Sequence, residues 1–537
     1  MGINDFHGHL DATKYEYTSF VDGAAHTGPA GGIDNIAAAV QAWRKEDPSL
    51  LFVAAGDLVG ASPAMSSLWA DEPSIEALGM AGLFASSVGN HEFDKGKAEL
   101  LRQQNGGCVS VRPDKACQFA PTFAGARYTY LAANVLDSAT GKPFLPAYRI
   151  AEVKGVKVAF IGAVLRDTAS VVLASGIVGL SFVDEVDAIN KVIPELRAQG
   201  AKVFVVLIHE GGQTREAFDQ PNCSALQGPI VGIAKRLDPA IRLIISGHTH
   251  KGFQCQVDGR TITQADMGGH ALSRIRMQVE PSSGKVLDIN VRNVAVKPGQ
   301  YPPNEQVSAF LARTRALSME ALAKPVARVA ARSMGRKASA AGESALGDLI
   351  ADAILASTSN EHAQIAFMNT GGMRQDLDVG ENLVATYGQV QIVLPFGNTL
   401  VAMDMTGAQI RALLEQQWIR ADGAHASMLQ ISSGFSYQWD PARPPGQRIV
   451  AGSIKLNGVA LEDAKLYRVA ANNFLAEGGD NFPAFRDAGN KIDTQVRDFD
   501  AVVDYLVKRD HAGKPAGSAT PAGRIASVAA TTLNLEH

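Results

Sequence analysis

Five separated segments of this chain place hard or borderline metal ligands directly after an apolar run. They are Asp5 with His7, then Asp57, then Asn90 beside His91, then His209, then His248 with His250. Oxygen and imidazole donors without thiolate suit zinc, manganese, cobalt or iron, and not a soft-metal or iron–sulfur centre. The donors exceed one coordination shell, so two divalent ions are expected, with Asp57 of the Gly56-Asp57 turn bridging them. Ions about 3.5–4 Å apart clamp the attacking and leaving oxygens of a phosphoryl transfer and help to generate hydroxide near neutral pH. His91 and Asp94 make a different kind of pair. A histidine one residue past a ligating asparagine can face a substrate while an acidic residue three positions on orients its ring, so the two are expected to act as a catalytic dyad. The competing reading is that Asp94 caps a helix starting near Lys95. The histidines at His26, His270, His362, His425 and His511 lie in polar or glycine-rich context without partners at ligand spacing, and read as solvated.

Ligands this far apart in sequence converge only if each sits at the carboxyl end of a strand in an open sheet, where such folds collect their ligands. The pattern supplies those strands: Leu51 to Ala54, Val156 to Gly162, Val203 to Ile208 and Ile241 to Ser246 are short β-branched apolar runs separated by amphipathic stretches. The alternation breaks around Lys297-Pro298-Gly299 and Pro302-Pro303, and Asn304 to Ala323 then reads as a polar helix. From Pro325 a second α/β unit is expected, with a helix near Ser344 to Ser357, strands near Ile365 to Met368 and Leu400 to Met405, and a helix over Thr406 to Gln417. The expected division is therefore residues 1–296, a linker and helix over 297–324, a second domain over 325–528, and a tail over 529–537.

Composition narrows the partners. With 50 basic and 54 acidic residues, a formal charge of −4 and no basic run, the 537-residue chain carries no electrostatic footprint for a nucleic-acid polymer. Its longest apolar runs fall well short of the ~20 residues needed to span a bilayer. Four cysteines fall as two sequence-near pairs, Cys108 with Cys117 and Cys223 with Cys255. They read as two loop-stapling disulfides, although four cysteines allow three connectivities. An oxidising compartment, periplasmic or secreted, fits best. The ends, Met1-Gly2-Ile3 and Leu535-Glu536-His537, read as cloning residue, and a native targeting segment is expected to have been removed.

Taken together, Asn4-Asp5-Phe6-His7-Gly8-His9, Ala55-Gly56-Asp57, Gly89-Asn90-His91-Glu92-Phe93-Asp94, His209-Glu210-Gly211 and Gly247-His248-Thr249-His250 resemble the 5'-nucleotidase family of calcineurin-like metallophosphoesterases. Asn369-Thr370-Gly371-Gly372-Met373-Arg374, Pro395-Phe396-Gly397-Asn398 and Asn473 to Phe482 look like that family's C-terminal substrate-binding domain, so the likeness covers nearly the whole chain. It implies an α/β architecture, a four-layer N-terminal metallophosphoesterase domain with a second, smaller α/β C-terminal domain, and a hinge next to the 304–323 helix. It implies one metal on Asp5, His7, Asp57 and His250 and another on Asp57, Asn90, His209 and His248, with His91 and Asp94 as the dyad.

By motif position, Arg374 would grip phosphate, Asn369 would contact the nucleotide, Phe474 would stack on the base and Asp480 would bond the ribose. Two departures stand out. Met428 and Leu429 occupy a position where a second base-clamping aromatic is expected, so Met428 is read as a thioether face of the clamp. Gly342 precedes Glu343 where some relatives carry arginine, and Arg332 or Arg336 is the candidate substitute. The expected activity is hydrolysis of nucleoside 5'-monophosphates by water activated at a dinuclear site. The alternatives are a broader phosphodiesterase or pyrophosphatase acting on cyclic nucleotides, nucleotide sugars or dinucleotides, and a non-catalytic nucleotide-binding surface protein.

Overall fold

A computed structural model describes residues 1–419 and 427–528; His425 and the 529–537 tail lie outside the described residues. The chain divides into two compact units, Met1–Ser318 and Met319–His537.

The first unit is built on two six-stranded sheets. One contains β1 (Gly2–Ile3), β2 (Phe52–Ala55), β3 (Leu83–Ser87) and β4 (Thr129–Leu131). The other contains β5 (Tyr148–Val153), β6 (Val156–Val164), β7 (Val203–His209), β8 (Ile241–Ser246), β9 (Phe253–Val257) and β10 (Arg260–Gln264). The chain then returns to the first sheet with β11 (Ala271–Val279) and β12 (Val286–Ala295). Strand order is β12-β11-β1-β2-β3-β4 in the first sheet and β9-β10-β8-β7-β6-β5 in the second. β1 to β4 run parallel, as do β6, β7, β8 and β10.

The period-2 alternation of side chains assigns the faces. Phe52 and Ala54 pack outward with α1 (Ile33–Glu46) and α2 (Glu72–Met80), while Val53 and Ala55 pack inward. In β7, Phe204, Val206 and Ile208 meet α4 (Glu185–Ala198) and α5 (Pro229–Arg236), while Val203, Val205 and Leu207 join Val53 and Ala55 between the sheets. A helix α3 (Gly96–Asn105) adds Leu100 to the outer layer of the first sheet. The result is four layers: helix, sheet, sheet, helix. The expected strands begin and end within two residues of the observed ones.

A hairpin absent from the sequence reading, Ala12–Thr18 with Ala25–Gly31, is anchored by Tyr15 and Tyr17 against Phe218. His270 lies in that anchor. It was expected to be solvated, yet it is buried, its Nε2 is 2.7 Å from Thr13 Oγ1, and its ring stacks on Tyr15 at 4.7 Å. His26 is partly covered, with Nε2 2.9 Å from Asp22 Oδ2, whereas His362 and His511 are exposed. Cysteines pair as Cys108–Cys117 and Cys223–Cys255.

Helix α6 (Glu305–Leu322) leads into the second unit. Its five-stranded sheet comprises β13 (Ile365–Asn369), β14 (Thr399–Thr406), β15 (Leu429–Ile431), β16 (Leu466–Asn472) and β17 (Gly489–Arg497), in the order β15-β13-β16-β14-β17. Ala366 and Met368 face α7 (Ala345–Ser357) and α9 (Asp498–His511), while Ile365 and Phe367 face α8 (Gly407–Gln416). α7 and α8 start where hydroxyl caps dictate: Ser344 Oγ accepts from Gly347 N, and Thr406 with Gln409 closes a capping box. Among the described residues no helix is long and apolar enough to cross a membrane.

Candidate functional site

Each metal-ligand candidate of the first unit grows from the carboxyl end of a strand. Asp5 and His7 follow β1, Asp57 follows β2, Asn90 follows β3, His209 ends β7, and His248 with His250 follow β8. Five of these residues hold left-handed backbone: φ is 49° at Asp5, 47° at His7, 49° at Asp57, 75° at His248 and 54° at His250. That conformation costs a residue with a Cβ about 1–3 kcal/mol and persists only where the surroundings impose it.

The surroundings here do impose it. Asp5 N donates to Gly56 O, His7 N to Asp57 O, and His248 N to both Asp5 carboxylate oxygens, so the loops are laced together by backbone. Glycines fill the gaps. A Cβ on Gly89 would lie 2.1 Å from Asp57 Oδ1, and one on Gly60 (φ +82°) would lie 2.6 Å from His91 Cβ and 2.8 Å from Asp94 Oδ2.

The side chains converge in two groups that meet at Asp57. Asp5, His7 and His250 form one, with His250 Nε2 3.2 Å from Asp5 Oδ1 and 3.1 Å from His7 Nε2. Asp57, His209 and His248 form the other, with His209 Nε2 2.9 Å from Asp57 Oδ2, and Asn90 Oδ1 lies 3.1 Å from His248 Nδ1. His7 Nε2 is 3.7 Å from Asp57 Oδ2. A separate cluster, Glu216 with Cys223 and Cys255, has both sulfurs committed to a disulfide.

Second partners settle the histidine tautomers. His209 Nδ1 donates to Ala55 O and His7 Nδ1 to Gly60 O, both at 2.8 Å, which turns each Nε2 lone pair inward. An imidazole nitrogen 2.9 Å from a buried carboxylate is balanced by a proton on that nitrogen or by a metal ion held by both groups. Burial opposes protonating His209, but the Asp57 and Asp5 carboxylates outweigh it and lift it to about 10. Burial would likewise raise the Asp57 carboxyl, yet His209 and His91 hold it well below the usual carboxylate range. Burial and the neighbouring His209 push His248 down to about 4. This oxygen and imidazole donor set, with its tautomers pre-set, fits divalent ions.

His91 Nδ1 lies 2.8 Å from Asp94 Oδ2, and the His91 ring meets that of His7 edge-on at 5.0 Å. The N-cap position of α3 is Lys95, whose side chain makes no capping hydrogen bond, so Asp94 does not occupy the cap position of the competing reading. One ring nitrogen of His91 also lies within 4.8 Å of ligand atoms of His7 and Asp57.

Glu92 was not among the expected site residues. Its buried carboxylate accepts from Asp57 N at 3.0 Å, Leu58 N at 2.8 Å and Gly89 N at 2.5 Å, clamping the turn after β2 to the turn after β3. Burial, then the Asp57 charge, pushes Glu92 up to about 7. The available signal was a charged residue set between His91 and the core residue Phe93.

In the second unit, Asn369 and Asp480 are brought together: Asn369 Nδ2 donates to Asp480 Oδ2 at 2.8 Å, and Asn472 Nδ2 donates to Asn369 Oδ1 at 3.0 Å. Asp480 takes φ 54°. Phe474 is half-buried and lies over Gly479, where a Cβ would come within 2.5 Å of its ring. Arg374 carries its guanidinium 5.9 Å from the Phe396 ring centroid. Phe396 stands in the Pro395-Phe396-Gly397-Asn398 motif, and the sequence reading gave it no role. Met428 belongs to a core cluster against which Phe474 also packs. It is buried in the core on the α8 side, with its side chain against Gly342, whose added Cβ would lie 2.6 Å from Met428 Cε. Of the two candidate arginines, Arg336 donates to Met373 O at 3.1 Å, next to Arg374, while Arg332 pairs with the exposed Glu381.

Comparison with known proteins bears on this arrangement. The calcineurin-like phosphoesterase family matches residues 1–252, and the 5'-nucleotidase C-terminal domain family matches residues 323–487. The chain is 31% identical over 512 residues to the endonuclease YhcR of Bacillus subtilis, covering 95% of this chain and 39% of that protein. It is 31% identical over 547 residues to the cell wall protein Lmo0130 of Listeria monocytogenes, covering 96% of this chain and 67% of the relative. The crystal structure of a 5'-nucleotidase precursor from Thermus thermophilus superposes with a TM-score of 0.75 at 25% identity, covering 98% of this chain and 99% of the other.

Proposed function

We propose a function for this chain from the family it belongs to, the calcineurin-like phosphoesterases that carry a 5'-nucleotidase C-terminal domain: metal-dependent hydrolysis of nucleoside 5'-monophosphates to nucleoside and phosphate. The observation that carries the chemistry is the convergence of Asp5, His7 and His250, and of Asp57, His209 and His248, with inward lone pairs on His7 and His209. Asp5, His7 and His250 would hold one divalent ion and Asn90, His209 and His248 a second, with Asp57 shared. Two such ions supply charge stabilisation on the phosphoryl oxygens and lower the pKa of water.

The chain's own groups do the rest. His91, its ring oriented by Asp94, neutralises charge building on the phosphoryl group and delivers a proton toward the departing 5' oxygen. Water adds to phosphorus, the P–O5' bond breaks, and that proton ends on the nucleoside hydroxyl. In the second unit, Arg374 pairs with phosphate, Phe474 and Phe396 offer faces to the base, and Asp480, steadied by Asn369, accepts from the ribose hydroxyls. Met428, being core, is left out of this set.

A substrate panel with phosphate release tests the reading: strong turnover of 5'-monophosphates is expected, lost to chelator and restored by Mn²⁺ or Zn²⁺. The similarity to an endonuclease supports a second reading, a phosphodiesterase. Turnover of diesters with little on monophosphates would establish that one instead. The paired cysteines and the cell wall relative support a secreted location.

A further inference from the structure

The loop closed by Cys108–Cys117 sends the Arg112 side chain inward. Arg112 donates from Nη1 to Asp71 Oδ2 at 2.9 Å, and from Nη2 to Ala70 O at 2.9 Å and Glu99 Oε1 at 3.0 Å. Ser110 Oγ donates to Glu99 Oε2 at 2.7 Å and accepts from Arg112 N at 2.9 Å. Arg102 closes the network, with Nη2 on Glu99 at 2.8 Å and Nη1 on Glu72 at 2.7 Å, and Glu72 accepts from Cys117 N at 2.9 Å. Burial would raise the Asp71 carboxyl, but the Arg112 guanidinium reverses this and keeps it ionised. A buried charge set of this kind is expensive to leave half-made.

Arg112 grips a strained turn. Ala70 and Asp71 are both left-handed, at φ 54° and 64°, although each carries a Cβ. The turn joins the short helix Ala64–Ser67 to α2, and Asp71 Oδ1 accepts from Ser66 Oγ at 2.9 Å. Ser66 Oγ and Ser62 Oγ lie under Gly8, where a Cβ would come within 2.7 Å of both. Upstream in the same stretch, Gly60 O accepts from His7 Nδ1 and Leu58 O accepts from Gly8 N. Residues 58–71 therefore seat the loop that bears Asp5 and His7, and Arg112 pins the far end of that seat.

We infer that Arg112 is a positioning residue for the Asp5, His7 and His250 half of the metal centre, setting how tightly that half holds its ion. The inference rests on the metal-site reading above, and the test separates the two. The full chain, stripped with chelator and desalted, is titrated with Mn²⁺; bound metal per chain is measured against free metal, with thermal melts alongside. The parent should bind two ions. Arg112→Met should hold one as the parent does and the other roughly 10-fold more weakly, within the range for residues that orient ligands. Arg112→Lys should fall between, and excess Mn²⁺ should restore kcat in Arg112→Met without a change in KM. Ser66→Ala, which removes the hydroxyl between Asp71 and the seat, should weaken the same ion and serves if Arg112→Met does not fold. Parental affinity for both ions in Ser66→Ala or in folded Arg112→Met, or equal weakening of both ions, would overturn the inference. A parent that takes up no Mn²⁺ would instead sink the metal-site reading.

Discussion

Around Asp57 every candidate ligand grows out of backbone that is already committed, whereas around Arg374 the proposed substrate groups are side chains at the ends of short turns. In the first unit five candidate ligand residues are held in left-handed conformation, glycines leave no space for a Cβ, and Glu92 ties the turns bearing Asp57 and Asn90 together through their amides. In the second, Arg374, Phe396, Phe474 and Asp480 are partly exposed, and of these only Asp480 has left-handed backbone. The contrast teaches where each site can vary. A metal centre needs its donors fixed within tenths of an ångström, while base and ribose recognition tolerates exchange of one surface for another.

Substitutions can break or sharpen that contrast. The largest effect is expected for Asp57→Asn, which removes the charge shared between two dications: turnover should fall to background and metal content should drop. Unchanged metal stoichiometry by elemental analysis would show that Asp57 is not shared. Gly89→Ala comes next. Its methyl would occupy the place of Asp57 Oδ1, so metal and activity should fall together although no ligand is altered; parental activity would mean that the turn yields easily.

His91→Ala should keep both metals and lose roughly 10²–10⁴ in kcat, the range of a positioned acid–base group. Metal loss in that variant would make His91 a ligand, which its position within 4.8 Å of ligand atoms of His7 and Asp57 permits.

On the second unit the effects should be smaller and selective. Phe474→Ala should raise KM for nucleotides about 5- to 150-fold, the equivalent of about 1–3 kcal/mol of stacking, while a phosphoester without a base is barely affected. Equal losses on both substrates would make Phe474 a packing residue. Met428→Phe should leave nucleotide KM unchanged and cost about 1–3 kcal/mol of stability, because the larger ring must fit against Gly342 inside the core. Selective tightening of nucleotides would instead place residue 428 at the base.

The same contrast explains what could be read from the sequence. The candidate ligands Asp57, His209 and His248 end or follow the largely buried runs Phe52–Ala55, Val203–His209 and Ile241–Ser246, so strand ends and candidate ligands were visible together. Glu92 was opaque because its partners are amides at positions 57, 58 and 89, and a carboxylate bonded to backbone leaves no pattern of residue types. His270 was misread because its cover, Thr13 and Tyr15, comes from a hairpin some 250 positions earlier whose strands carry polar and glycine residues. Met428, expected at the base, is buried in the core against Gly342, and nearness to a motif does not say which way a side chain turns.

The reach of the ligand loops along the chain has a bearing on how the protein matures. Asp5 and His250 end 3.2 Å apart, and the strand that leads to Asp5, β1, is sandwiched between β2 and β11, whose first residue is Ala271. The Asp5 half of the centre therefore cannot close until the chain beyond β11 has emerged and docked, a long-range step of the slow kind. An ion held by Asp5, His7 and His250 would be taken up only after that step.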